Sequence, residues 1–147
     1  MSDKIVEPYV PSDATLRSIF DEAKTIAVVG LSSKSERDSY GVARYLQRHG
    51  YRVVPVNPNE TEVLGEKAYP SLLDVPTDVA IDIVDVFRRA EATPPIAEQA
   101  VSAGAKVLWL QEGIVNQEAR RIAEDGGLTV VMGLCIRTTR EQLEREE

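Results

Sequence analysis

Apolar and polar positions fall in blocks along the chain, and the blocks take helical and strand-like spacing in turn. Residues 12–24 place Leu16, Ile19, Phe20 and Ala23 at helical intervals behind Ser12 or Asp13, either of which can cap a helix. Residues 25–30 (TIAVVG) are a nearly unbroken apolar run, the pattern of a strand buried on both faces of a parallel sheet. A second helix is predicted behind Asp38 or Ser39, with Val42, Tyr45 and Leu46 on one face and Gly50 as its stop. YRVVPV (51–56) then reads as a second strand. Residues 57–78 hold Pro58, Gly65, Pro70 and Pro76, so they read as loop with one short strand and one helical turn at SLLDV. VAIDIVDVF (79–87) is the third predicted strand. A helix follows over 90–103, with Ile96, Ala97, Ala100 and Val101 inward and Gly104 at its end. KVLWL (106–110) is the fourth strand. Asn116 can cap a helix carrying Ala119, Ile122 and Ala123 on one stripe, stopped by Gly126 and Gly127, and LTVVM (128–132) is the fifth strand. Thr138 and Glu141 fit a capping box for a charged last helix over 138–147.

Five apolar strands alternating with helices predict an α/β fold: a doubly wound parallel sheet with helices on both faces, because right-handed crossovers place them there. The expected order is 3-2-1-4-5. In such a sheet a ligand sits beyond the carboxyl ends of the strands, at the switch point beside strand one. That rule selects the loops at 30–38, 57–58, 85–88, 111–113 and 133–137. At 147 residues the chain is the size of one domain, with an N-terminal arm and helix over 1–24. No linker, fixed-period repeat or low-complexity stretch interrupts it.

Composition narrows the partners. No apolar run approaches the roughly 20 residues that span a bilayer, and MSDKIVEPYV has no secretory pattern. A single cysteine, Cys135, excludes an internal disulfide and fits a reducing cytoplasm, the expected location. With 24 acidic against 17 basic residues the net charge is −7, which counts against nucleic acid as a partner. Any anion site must therefore be local.

The first loop, GLSSKSERD, stands where dinucleotide folds carry GxGxxG, whose glycines let a pyrophosphate approach a helix N-terminus. Here Ser32 and Ser35 occupy the second and third glycine positions. Backbone amides and hydroxyls of Ser32 and Ser33 can still donate to phosphate, with Lys34 and Arg37 adding charge. Strand two ends in Asn57 and Pro58 rather than in an acid that would grip an NAD ribose, and no GK[ST] is present. Phosphate binding and an inert polar turn both remain open for this loop on its residues alone.

The run VVGLSSKSERDSYGVARYLQRHGYRVVPVNPNETEVLGEKAYPSLLDVP, with VAIDIVDVFRR and later VLWLQEGIVNQEA, resembles the small stand-alone CoA-binding proteins. These are similar to the Rossmann-like CoA-binding domain of the succinyl-CoA synthetase alpha subunit. The resemblance covers about residues 25–135. It implies that Gly30, Leu31, Ser32, Ser33 and Lys34 cradle the CoA diphosphate, with Arg37 placed to meet phosphate. Pro55, Asn57 and Pro58 would border the adenosine. Asp85, Val86, Phe87 and Arg88, following strand three, and Gln111, Glu112 and Gly113, following strand four, would flank the pantetheine. Coenzyme A also makes sense of the missing acid, which would repel its phosphates. Close relatives tend to carry a polar or basic pair before the cysteine and a histidine after it, whereas this chain reads VMGLCIRTTRE.

Other residues are weighed against plainer roles. His49 falls at a helix end, where it satisfies a carbonyl or packs its ring. Asp82 and Asp85 are three apart in a strand and cannot act as a paired acid and base. Asp82 reads as a cap or sheet-edge residue, and Asp85 as a loop residue near the ligand. Trp109 reads as core. Cys135, after strand five, reads as a small partly buried residue, with thiol sensing or a mixed disulfide as its functional alternative. No catalytic or metal-ligating set stands out. The resemblance implies a phosphorylated histidine in a second domain of the synthetases, and this chain carries no such domain, so ligase chemistry is not expected of it. The leading reading is a CoA or acyl-CoA binding protein without intrinsic catalysis, acting as carrier, sensor or partner of a separate enzyme. The alternatives are an NAD(P)-dependent oxidoreductase with a degenerate glycine loop, and a protein-interaction or thiol redox module. The arm and the last helix offer surfaces for a homodimer.

Overall fold

The computed structural model describes residues 7–146. Residues 1–6 of the expected arm and Glu147 of the expected last helix lie outside them. In chain order the elements are α1 (Asp13–Glu22), β1 (Thr25–Val29), α2 (Asp38–Arg48), β2 (Arg52–Val56), β3 (Glu62–Val63), β4 (Glu66–Lys67), β5 (Ile83–Val86), α3 (Thr93–Ser102), β6 (Val107–Leu110), α4 (Gln117–Asp125), β7 (Thr129–Met132) and α5 (Ile136–Arg145). Two short 3-10 turns, Leu72–Asp74 and Ala90–Ala92, complete the set.

The expected α/β class is what the chain adopts: five parallel strands ordered β2-β1-β5-β6-β7, with β3 and β4 as a separate hairpin. Alternate strand residues point to opposite faces. Ile26, Val28, Ile83, Val107, Trp109 and Val131 meet α1, α2 and α5 in one core. Ala27, Val29, Val84, Leu108, Val130 and Met132 meet α3 and α4 in the other, where Ala97, Ala100, Ala119 and Ala123 let the helices lie close.

The strand order departs from expectation. Counting the five strands along the chain, the third lies beside the first, giving 2-1-3-4-5 in place of 3-2-1-4-5. The outer edge of β2 is already occupied. Tyr69 bridges to Val56, its amide donates to the Pro55 carbonyl (3.0 Å), and its carbonyl accepts from Asn57 (2.8 Å). The chain therefore crosses β1 and pairs as β5 on the free side, Ile26 opposite Ile83 through Val29 opposite Val86. At the other edge Tyr9 pairs antiparallel with Met132, both bonds 2.9 Å. Its ring lies under the Arg120 guanidinium (3.7 Å) and its hydroxyl donates to Glu124 (3.0 Å).

Several ends also differ. Ser12 caps α1 and Asn116 caps α4 as predicted. Helix α2 starts at Asp38 behind Arg37 with no side-chain cap. Helix α5 starts at Ile136, two residues before the predicted capping box, and Glu141 turns to pair with Arg137 (3.6 Å). The third strand is four residues long, and Pro94 and Pro95 open α3 only after the 3-10 turn.

Candidate functional site

The loops after β1 and β5 meet at the switch point. Gly30 has φ of 90°, and its amide donates to Val56 (2.7 Å). A Cβ at this position would lie 2.4 Å from the Phe87 carbonyl oxygen, so only glycine lets the two loops close against each other. Leu31 is buried beneath the loop, and the buried Asn57 ties it down: Nδ2 donates to the Leu31 carbonyl (3.0 Å) while Oδ1 accepts from the Asn59 amide (2.9 Å). The next three amides each meet a side-chain oxygen. Ser32 donates to Ser39 Oγ (3.1 Å), Ser33 to Glu60 Oε2 (2.8 Å) and Lys34 to Ser32 Oγ (3.1 Å). Lys34 and Arg37 stand exposed on this loop, and Arg88 Nε lies 3.4 Å from where a Gly30 Cβ would be. Among the described residues none of the three cations is held in an ion pair.

A cleft of about 660 Å³ opens beside the loop, between α2, the β5 and β6 ends and the start of α5. Arg37, Phe87, Gln111 and Glu112, all sequence-expected, line it together with Cys135, Arg137 and Glu141. Glu36, Asp38, Glu112 and Glu141 stand in this lining against Arg37 and Arg137, the latter paired with Glu141 (3.6 Å), so acids are in modest excess and the cleft suits an uncharged amide chain. The remaining expected residues sort by depth. Ser32, Ser33, Lys34, Pro58, Arg88 and Gly113 reach the surface at this end of the sheet. Pro55 is buried within β2, and Val86 within β5.

Asp85 also lies inside β5, not after it, which corrects its reading as a loop residue. The ladder sets it between Val28 and Trp109, and it is fully buried. Oδ1 accepts from Gln111 Nε2 (2.6 Å), while Oδ2 has no partner in the protein. Burial pushes its pKa up from the ordinary 3.8 to about 7, against the lowering effect of the Gln111 bond. Gln111 in turn accepts from the Ile136 amide (3.3 Å), so this pair props the first turn of α5 from below.

The sequence predicts Ser39 only as a helix cap and assigns Glu60 no role, yet both hold the loop. Ser39 opens the buried stripe Ser39, Val42, Ala43, Leu46, and a serine on an apolar stripe was the available signal. Glu60 arrives from 27 residues away with no local pattern to mark it. The plainer readings of other residues hold. His49 Nδ1 lies 2.8 Å from the Tyr45 carbonyl and its ring stacks on Tyr45 (4.1 Å). Trp109 is fully buried against Phe20, its Nε1 donating to the Leu134 carbonyl (2.9 Å). Asp82 accepts from the Lys24 and Thr25 amides (both 2.9 Å) at the far end of the sheet. Cys135 is half-buried at the N-cap of α5.

Comparison with known proteins adds a family and its members. The family model described as a CoA binding domain matches residues 24–140. The uncharacterized protein YneT of Bacillus subtilis (strain 168) is 46% identical over 127 residues, 86% of this chain and 93% of that protein. Acetate--CoA ligase [ADP-forming] I subunit alpha of Pyrococcus furiosus is 31% identical over 119 residues, which cover 75% of this chain but 25% of the subunit. Among solved structures, a hypothetical protein from Pyrococcus horikoshii OT3 superposes with a TM-score of 0.88 at 42% identity, over 97% of this chain and 99% of that one.

Proposed function

The chain belongs to the CoA-binding domain family, and on that premise we propose that it binds coenzyme A or an acyl-CoA at the β1/β5 switch point and performs no chemistry on it. It serves as a carrier, sensor or partner module for a separate enzyme. The observation that carries this reading is the convergence of the Gly30 loop with Lys34, Arg37 and Arg88, three cations without ion-pair partners among the described residues, in a chain of net charge −7.

Each part of the ligand has a chemically matched place. The loop amides and the three cations suit the diphosphate and 3′-phosphate, because charge-assisted N–H···O bonds are the strong ones. Asn57 and Pro58, at the end of β2, would border the adenosine. Phe87, Gln111, Glu112 and Gly113 would flank the pantetheine in the cleft, where amide N–H groups find carboxylate acceptors, while Arg37 of the same lining would meet the phosphates. The nicotinamide alternative has less support, since serines replace the loop glycines and the first acid after β2, Glu60, is bonded to the β1 loop.

Isothermal titration with CoA, acetyl-CoA, NAD⁺, NADP⁺ and ATP at one ionic strength tests the reading. Selective CoA binding is the expected result, and a preference for NAD⁺, or no binding at all, would sink it. The double substitution Lys34→Ala and Arg37→Ala then locates the contacts. Equal weakening of CoA and dephospho-CoA assigns the pair to the diphosphate, and a larger loss for CoA assigns it to the 3′-phosphate. Unchanged affinity for both removes these residues from the site.

A further inference from the structure

We propose that Glu60 is a built-in competitor for the ligand's phosphate: its carboxylate holds the Ser33 amide, and an incoming phosphoryl oxygen must displace it. The inference rests on the CoA reading above and assigns this residue the setting of affinity at that same loop. Of the three consecutive loop amides, two are satisfied by neutral hydroxyls from Ser39 and Ser32. The third, Ser33, is satisfied by an anion that comes from another loop at 2.8 Å. A carboxylate on a backbone amide, on a loop whose Lys34 and Arg37 hold no ion pair among the described residues, uses the same donor that a phosphate oxygen would use.

The position of Glu60 is built rather than incidental. Asn57 accepts from the Asn59 amide through its side chain (2.9 Å) and from the Glu60 amide through its carbonyl (3.2 Å). The same Asn57 side chain donates to Leu31 at the base of the β1 loop. One residue thus fixes both the loop and the carboxylate that occupies it. Ser33 is exposed, so the contact is open to exchange with solvent and with a ligand whose phosphate oxygen makes the same charge-assisted bond. A carboxylate retained at the loop would also repel the phosphate, so binding requires that it swing away.

The test pairs calorimetry with the Ser33 amide resonance, using CoA on the wild-type chain, Glu60→Gln and Glu60→Ala. Removing the competitor should tighten CoA by about tenfold in Glu60→Ala, the scale of one charge-assisted hydrogen bond. Glu60→Gln keeps an acceptor oxygen without the charge and should fall between. The Ser33 amide should differ between free wild type and free Glu60→Ala and converge when CoA is bound to both. Unaltered affinity overturns the proposal, and so does weaker binding, which would make Glu60 a direct acceptor for a ligand hydroxyl. If neither wild type nor variant binds CoA, the coenzyme reading fails on its own. Inorganic pyrophosphate titrated against the Ser33 resonance still tests the competitor: tighter binding in Glu60→Ala supports it, equal binding overturns it.

Discussion

A single buried proton at Asp85 ties the chemistry of one side chain to the stability of the whole chain. In the unfolded chain this carboxyl ionises near its ordinary 3.8, whereas in the folded protein it keeps its proton to about pH 7. Between those values the folded state binds more protons, so stability falls as pH rises and levels off above about 7. The full interval corresponds to about 4 kcal/mol for a fully buried group. Asp85→Asn cannot lose a proton, so its urea stability should gain on the wild type as pH rises from about 4.5 to 8. Parallel pH profiles for the two proteins would rule out a buried proton here. The sequence shows Asp85 in an apolar run but not its depth, because ladder hydrogen bonds belong to the backbone and hold whatever side chain stands in register. Gly30, by contrast, was legible, since a strand end followed by glycine and a helix places it at the switch point.

Individual elements were legible wherever periodicity was strong, and their ends and neighbours were not. All five main strands and the main helices stand near their predicted positions, because apolar spacing selects which face is buried. Strand order was lost in residues 57–78, where no helix declares which way the chain crosses and Tyr69 takes the edge of β2. The predicted capping box of α5 failed because Ile136 was drawn into the core two residues earlier. Between the β1 and β2 loops Asn57 is one link beside Glu60: its side-chain amide donates to the Leu31 carbonyl while its Oδ1 accepts from the Asn59 amide. Asn57→Ala should lower urea stability by about 1–2 kcal/mol, the scale of a lost buried hydrogen bond. It should also weaken CoA, since the loop carrying Ser33 and Lys34 is no longer held. A stability loss with unaltered CoA affinity would separate the latch from the site.

At the scale of the whole molecule, a net charge of −7 repels anions at a distance, so the exposed Lys34 and Arg37 at one end of the sheet supply the local attraction an anionic ligand would need. No described helix is long and apolar enough to cross a membrane. The two outer strands are fastened alike: Tyr69 binds at Val56 and Tyr9 at Met132, each at the carboxyl end of its strand. The sheet is therefore hooped at the rim that carries the proposed ligand loops, while among the described residues no such bridge fastens the amino ends of β2 and β7 at the opposite rim. Thermal breathing should start at that lower rim and travel upward, leaving the crevice as the last part to come apart. Hydrogen exchange reads this as a gradient within one strand, with the Met132 amide outlasting that of Thr129. A reversed gradient would mean that the hoop does not hold. If the proposed site holds a coenzyme, a molecule that loosens from its base upward would keep its grip through partial opening, so release would be governed by the loops and not by the fraying of the fold.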